Sequence, residues 1–161
     1  MQPFEVKLSY YDKPWLTVPF EVGHNEIGDA DYPEYKLSED IIMLFDRIGL
    51  PTPTPIPCMA LHHQKAQKLH GSSVYDSARA HDLIDLQLII KNESIDYQAT
   101  RTACVRLFAY RKQQTWPPTI KSSEGWKELY DSQKTDLSVI DNVSDAVVWV
   151  NELISRIDST G

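Results

Sequence analysis

The sequence has few of the features that mark secreted, disulfide-bonded or membrane proteins. Its 161 residues include only two cysteines, Cys58 and Cys104, which are far apart in the chain. Two isolated cysteines predict reduced thiols, as in cytoplasmic proteins, and not a disulfide framework. No apolar run approaches the roughly 18 residues that cross a membrane, and the first residues contain no apolar signal segment. These absences predict a soluble cytoplasmic protein with no membrane partner.

The motifs of several enzyme classes are absent too, and basic residues are in the minority. The chain has no P-loop, no G-x-S-x-G nucleophile elbow and no Cys–His catalytic signature. Lys and Arg total 16 against 23 Asp and Glu, so a nucleic-acid partner would need a local basic surface. The candidate residues for such a surface are Arg101, Arg106, Arg111 and Lys112. They recur about every five residues, so they do not all share one helix face; solvation is the default expectation, and an RNA-facing strip is the alternative.

The residues that are present predict a packed α+β chain. A hydrophobic fraction of 42% is enough for a core within one domain or a substantial part of one. Residues 4–10 alternate apolar and polar side chains, and a turn leads to a second β-rich run at residues 15–22, which predicts an antiparallel hairpin. A lone hairpin is only marginally stable in water. We therefore predict an N-terminal hairpin packed by a C-terminal helical bundle, with a sheet region containing one helix at residues 1–58 and a helical region at residues 59–161.

Capping residues and helix breakers predict the boundaries of the other elements. An acidic loop is expected from Gly23 to Tyr35, and a proline-rich connector from Leu50 to Pro57, followed by a possible sheet contact near Ile56 to Met59. Three tryptophans are expected in the core, with base-stacking platforms as the alternative: Trp116, Trp126 and Trp149. The predicted helices run from Ser38 to Gly49, from Ala60 to a stop at Gly71, from about Arg79 to Ile90, from Asp96 to Gln113, from Gly125 to Tyr130, and onward from a cap at Ser144.

The highest concentration of charged groups lies in the two predicted helices between Ala60 and Ile90. The first helix carries Lys68, and the second begins near Arg79 and carries Asp82 and Asp85 one turn apart. The second helix is strongly apolar and should be largely buried, so its carboxylates must be paired or bind a cation. One interpretation is a structural ion-pair network that ties the two helices together. The other is a phosphate-binding site, because a lysine and an arginine can offset the negative charge that develops in phosphoryl transfer.

A zinc site built from histidines is a weaker hypothesis. The possible ligands are His62, His63, His70, His81 and Cys58. Their spacing matches no tight ligand pattern, so we expect solvated or packed histidines.

Two segments near the charged residues form a pair of motifs: A-Q-K-L-H-G at residues 66–71 and R-A-H-D-L-I-D-L-Q-L at residues 79–88. They resemble the two C-terminal motifs of the AbiEii/AbiGii-type toxin nucleotidyltransferases, a polymerase-beta-like family. The resemblance continues in F-A-Y-R at residues 108–111, W-P-P at residues 116–118 and the pair Trp126 and Tyr130. It covers nearly the whole chain, and it implies that the hairpin is a remnant of a larger nucleotidyltransferase sheet.

The resemblance also implies an activity, partners and site residues. Such proteins transfer nucleotides from an NTP, with Mg²⁺, onto RNA such as tRNA. They belong to toxin–antitoxin or phage-defence systems, in which a cognate antitoxin restrains them. By this resemblance Lys68 would contact NTP phosphates, Asp82 and Asp85 would lie at the catalytic pocket, and Arg79 would orient them or bind phosphate.

The chain departs from the family pattern in one respect. We find no glycine-rich G-G-T/S-x-L motif followed by a D-x-D strand, the segment whose aspartates bind the metals. Asp29 and Asp31 have the D-x-D letters but follow the strands in an acidic loop, in the wrong order. Glu21 matches a strand position for a third metal-binding carboxylate, or is simply an outward-facing edge residue. We therefore expect a chain that is inactive alone or completed by a missing N-terminal half. The alternative is a non-catalytic binding or assembly module.

Overall fold

The computed structural model describes residues 2–161 and contains two small sheets and six helices. This confirms the α+β class. The strands are β1 (Gln2–Tyr10), β2 (Lys13–Val22), β3 (Glu34–Lys36) and β4 (Ile56–Cys58). The helices are α1 (Glu39–Arg47), α2 (Leu61–Ser73), α3 (His81–Asn92), α4 (Tyr97–Arg111), α5 (Trp126–Gln133) and α6 (Val143–Asp158).

Strands β1 and β2 form the predicted antiparallel hairpin. Its register pairs Phe4 with Phe20 and Val6 with Val18, and an irregularity follows Leu8. Because side chains alternate along a strand, this register gathers seven apolar residues on one face of the hairpin. They are Phe4, Val6, Leu8, Leu16, Val18, Phe20 and Val22, and all seven are exposed. We call this surface the hairpin face.

The predicted packing of the hairpin by the helical bundle is wrong. Within residues 2–161, β1 and β2 contact no element other than each other. Helix α1 is likewise amphipathic but contains no buried residue. The alternating pattern correctly predicts one apolar face for the hairpin, but the bundle helices bury their own apolar faces against one another and leave the hairpin face uncovered.

The second sheet pairs β3 with β4 in antiparallel register. The predicted sheet contact near Ile56 is therefore confirmed. The acidic loop was predicted to extend to Tyr35, but β3 begins at Glu34, so the end of that prediction is wrong. Lys36 ties β3 to the helices, since its Nζ lies 3.2 Å from Glu93 Oε1.

The hydrophobic core lies between the helices α2 to α6, and the buried apolar residues of the described part of the chain fall in residues 60–157. Trp126 is fully buried and Trp149 is partly buried against the core, as predicted. Trp116 packs only partly against the core and also lines a cavity at the surface. Tyr130 is also buried, and its hydroxyl donates to the carbonyl of Ile140 at 2.7 Å. Burial raises the pKa of this phenol.

Side-chain caps fix the starts of two helices. Asp96 caps α4 by accepting from the backbone N–H of Ala99 at 2.9 Å. Helix α6 is capped by Asn142, whose Oδ1 accepts from the N–H of Asp145 at 2.9 Å. The predicted cap at Ser144 is therefore wrong, because the amide two residues earlier already satisfies the free N–H group.

Both cysteines are free thiols. Burial raises the pKa of Cys104 to about 12, so this thiol stays protonated at neutral pH. Within residues 2–161, none of the helices has the length and apolar character needed to cross a membrane.

Candidate functional site

Helices α2 and α3 bring the predicted site residues together where the side chains of Arg79 and Asp82 lie against Gly71 of α2. Helix α2 does not stop at Gly71 as predicted but continues to Ser73. A Cβ atom on Gly71 would lie 2.6 Å from Asp82 Oδ2 and 3.0 Å from Arg79 Nε. Glycine is needed at this position because any side chain would collide with Asp82 and Arg79. Glycine can adopt helical backbone angles, so α2 continues through it.

Asp82 is the centre of this charged cluster. Arg79 donates to it through Nε, 2.7 Å from Oδ2, and through Nη2, 3.2 Å from Oδ1. Lys68 Nζ lies 3.3 Å from Asp82 Oδ1 and 2.5 Å from Asp85 Oδ2. His81 Nε2 lies 3.5 Å from Asp82 Oδ1. The predicted ion pairs between the helices are therefore present, with one lysine bridging both carboxylates.

Solvent exposure increases across the cluster from Asp82 to the side chains of Lys68, Asp85 and Arg79, which together we call the rim. The side chain of Asp82 is 0% exposed, whereas those of Lys68, Asp85 and Arg79 are 25%, 40% and 47% exposed. A lysine ammonium has three N–H donors, so Lys68 keeps one after bonding both carboxylates. Arg79 uses Nε and Nη2 and keeps its Nη1 donors free. The rim therefore presents free N–H donors of Lys68 and Arg79 to solvent, and the buried Asp82 carboxylate beneath them offsets part of their positive charge.

The cluster does not fit a bound Mg²⁺ ion. Lys68 already sits between Asp82 and Asp85, where a shared metal ion would have to lie. In the part of the chain that the structure describes, no three His, Cys, Asp or Glu side chains form a group able to hold a metal ion. Glu21 is exposed on β2, opposite Pro3, and β2 contacts neither α2 nor α3. Its role as a metal ligand stays a prediction.

The two aspartates of the acidic loop are engaged in hydrogen bonds with side-chain amides. Asp29 is buried and accepts from Gln67 Nε2 at 3.0 Å. Asp31 accepts from Asn25 Nδ2 at 2.7 Å. Their hydrogen bonds dock and shape the loop against α2.

A second polar network, which the sequence did not predict, lies beside the cluster. Arg111 on α4 contacts Glu26 Oε2 at 2.6 Å, Gln67 Oε1 at 2.5 Å and His70 Nδ1 at 3.2 Å. An arginine only donates, so His70 Nδ1 accepts and its proton is on Nε2. Burial, followed by the charge of Arg111, lowers the pKa of His70 to about 4. His70 is therefore a neutral, buried side chain at physiological pH.

A cavity of about 700 Å³ connects this network to the charged cluster. Its walls include Glu26, His70, Gly71, Arg79 and Arg111. The motif A-Q-K-L-H-G contains Gln67, Lys68 and His70, and the motif F-A-Y-R contains Arg111, 41 residues beyond His70. Neither motif indicates that these side chains meet.

The basic residues of α4 divide into two pairs. Arg106 and Arg111 face the acidic loop, where Arg106 Nη2 donates to the carbonyl of Ile27 at 2.6 Å. Arg101 and Lys112 line a different cavity. The prediction that the four do not share one face is confirmed. Arg101 and Lys112, the C-cap of α4, are 11 residues apart and so lie nearly in line. Arg106 and Arg111 are grouped instead by the acidic loop, which both of them contact.

Comparison with known proteins agrees with the resemblance seen in the sequence. A family model described as the nucleotidyl transferase AbiEii toxin, type IV toxin–antitoxin system, matches residues 5–147. That range includes most of the hairpin, the acidic loop and the whole charged cluster. A search among curated proteins finds no match. Because the match covers most of its length, the chain belongs to the AbiEii nucleotidyl transferase toxin family of type IV toxin–antitoxin systems.

Proposed function

We propose that this chain binds the phosphates of an NTP at the Lys68–Arg79–Asp82–Asp85 cluster and takes part in nucleotide transfer to RNA, with tRNA as the acceptor. The observation that carries the proposal is the open cationic rim over a buried carboxylate, within the region that matches the family. The reaction joins an RNA hydroxyl oxygen to the α-phosphorus and releases pyrophosphate. Negative charge develops on that leaving group.

The free N–H donors of Lys68 and Arg79 can bind the leaving pyrophosphate and stabilise its developing negative charge. Fixed cations near a leaving phosphate stabilise the transition state without reorganising at the moment of reaction. Asp82 positions both cations through hydrogen bonds, and Gly71 provides the space for it. Asp85, on the exposed rim, is the carboxylate best placed to meet the incoming RNA hydroxyl.

The metal-binding carboxylates of the active enzyme come, in this proposal, from a further polypeptide. The cluster itself has no vacant group of ligands, and Lys68 occupies the space between its carboxylates. The uncovered hairpin face is a suitable surface for that polypeptide, which would supply further strands of a nucleotidyltransferase sheet. A cognate antitoxin is the second expected partner, which follows from the type IV toxin–antitoxin family.

A non-catalytic binding or assembly module is the competing function. The observation in its favour is that all the carboxylates of the cluster are already paired with cations, as in a structural network. Such a module would use the hairpin face for assembly and would have no affinity for an NTP.

The deciding experiment compares NTP binding and label transfer in three proteins. Each NTP is titrated into the wild type, Lys68→Ala and Lys127→Ala. Lys127 is a matched control because it is an exposed helical lysine in an ion pair with Asp131 at 3.1 Å. Transfer of radiolabelled NTP to bulk tRNA is then measured with Mg²⁺, with and without the upstream polypeptide.

We expect one NTP to bind the wild type and Lys127→Ala equally. Lys68→Ala should weaken binding roughly tenfold, because a charge-assisted phosphate contact is lost. Transfer should require the upstream polypeptide and should be lost in Lys68→Ala. Equal NTP affinity in Lys68→Ala and wild type, or no affinity in either, would favour the assembly module instead.

A further inference from the structure

A second cavity lies away from the charged cluster, between the end of α4 and α6. It has a volume of about 790 Å³, in the range of small-ligand pockets. We call it the Trp116 cavity. Its walls include Arg101, Phe108, Lys112, Gln114, Trp116 and Asp158. None of these residues belongs to the cluster assigned to NTP phosphates.

Asp158 holds a cation and an aromatic ring side by side at the wall of the Trp116 cavity. Its Oδ1 accepts from the indole N–H of Trp116 at 2.9 Å. Its backbone carbonyl accepts from Arg101 Nε at 3.2 Å, and its Oδ1 forms an ion pair with the same Nε at 3.5 Å. Trp116 is partly buried, and it packs edge-to-face on Phe108 with ring centroids 5.5 Å apart. A planar ring and a guanidinium group are thus fixed at the same wall.

Other polar groups of the Trp116 cavity have no protein partner within residues 2–161. Lys112 is exposed and forms no ion pair there. The Oε1 atom of Gln114 is buried and accepts no hydrogen bond, although a buried polar atom normally has a partner. Gln113, next to it, is exposed and lines the same cavity.

We propose that the Trp116 cavity binds a nucleotide of the acceptor RNA. Aromatic rings stack on bases, and lysine and arginine bind backbone phosphates, so Trp116, Lys112 and Arg101 supply both contacts. The amides of Gln113 and Gln114 offer donors and acceptors to a base edge. The unsatisfied oxygen of Gln114 fits an exocyclic amino group of a base.

The position of the cavity also fits an acceptor that leads to the cluster. Gln113 lines both the Trp116 cavity and the cavity that reaches Arg79. An RNA strand bound at Trp116 can therefore continue past Gln113 towards the proposed NTP site. The identification of the ligand as acceptor RNA rests on the proposed function, whereas the cavity and its chemistry do not.

The test uses a fluorescein-labelled RNA tetranucleotide of mixed sequence, and the anisotropy of the label measures its affinity. The variants are Lys112→Ala, Trp116→Leu and Trp116→Phe, with Lys127→Ala as the control that removes a lysine elsewhere. Lys112 is exposed at the end of α4, so its replacement leaves the core unchanged. Circular dichroism verifies the fold of the Trp116 variants.

Lys112→Ala should weaken binding about fivefold and lower the slope of log affinity against log salt by about 0.7, as for one lost phosphate contact. Trp116→Leu should weaken binding roughly tenfold, since a stacked base is lost, while Trp116→Phe retains most of the affinity. Lys127→Ala should match the wild type. Absence of RNA binding, or equal affinity in Lys112→Ala and Lys127→Ala, overturns the proposal.

Adding Lys68→Ala separates this proposal from the proposed function. If RNA binding is lost in Lys68→Ala but kept in Lys112→Ala, the RNA binds at the charged cluster. This result overturns the proposal for the Trp116 cavity but not the proposed function. RNA binding that depends on Lys112, in a protein without NTP affinity, supports the cavity and contradicts the NTP site. Loss of NTP affinity in Lys68→Ala with RNA affinity unchanged supports both.

Discussion

Replacement of Asp82 by Ala should destabilise the fold much more than replacement of Asp85, although both carboxylates bond to Lys68. Asp82 is fully buried and is bonded to two cations, whereas Asp85 is on the open rim. Removing one partner of a buried ion pair typically costs about 3–5 kcal/mol, because the other charge is left without compensation. Lys68 and Arg79 are partly hydrated, so we expect the lower end, about 3 kcal/mol, for Asp82→Ala. An exposed pair contributes below about 1 kcal/mol, which is the expected loss for Asp85→Ala.

Urea unfolding followed by far-UV circular dichroism measures these losses. A chain of this size loses roughly 2–4 °C in melting temperature per kcal/mol, so Asp82→Ala should melt about 6–12 °C lower. The slope of the free energy against urea should stay unchanged if only stability is altered. Asp131→Ala is the control, since this exposed carboxylate pairs with Lys127 at 3.1 Å. Equal losses for Asp82→Ala and Asp85→Ala would refute the assignment of Asp82 as the buried centre of the cluster.

Two further predictions concern the same pair of helices. Gly71→Ala should weaken NTP binding and lower the free energy of unfolding by about 1–3 kcal/mol, because the new Cβ overlaps the Asp82 carboxylate. NTP titration and urea unfolding measure the two effects. A variant with wild-type NTP affinity and wild-type stability would contradict the overlap. His70 has a folded pKa of about 4 against an ordinary value of 6.5, so the unfolded chain binds the proton first and stability falls as pH drops from about 6.5 through about 4. The loss is at most about 3 kcal/mol, measured as the difference in urea stability between pH 7.5 and pH 4.5 for wild type and His70→Gln; the same pH dependence in both proteins would contradict it.

The hairpin was predictable from the sequence, but its surroundings were not. The alternation from Phe4 onward gives the register, because the side-chain period of a strand decides which residues share a face. Alternation does not reveal what covers that face. The helices of residues 60–157 bury their own apolar side chains against one another, and the sequence pattern of the hairpin carries no information on that choice.

The sequence predicted which residues form the charged cluster but not how their side chains are arranged. The paired motifs name Lys68, Arg79, Asp82 and Asp85, and the structure brings all four together. The error at Gly71 arose because glycine is a local helix-stop signal, whereas its reason here is the approach of another helix.

The network around Arg111 could not be predicted from local patterns. Its partner Glu26 is 85 residues away, and contacts over that distance depend on how α2, α4 and the acidic loop pack. The same packing separates the basic residues of α4 into a pair that holds the loop and a pair that lines the Trp116 cavity.

The isolation of the hairpin determines what an unfolding experiment on this chain can detect. Since β1 and β2 contact no other helix or strand within residues 2–161, their separation would leave the core contacts of α2 to α6 intact. Local opening of such a unit proceeds with a much smaller free energy than global unfolding. A global unfolding transition therefore reports on the helices alone, and substitutions such as Val6→Ala or Val18→Ala would leave its midpoint unchanged even where they abolish assembly on the hairpin face.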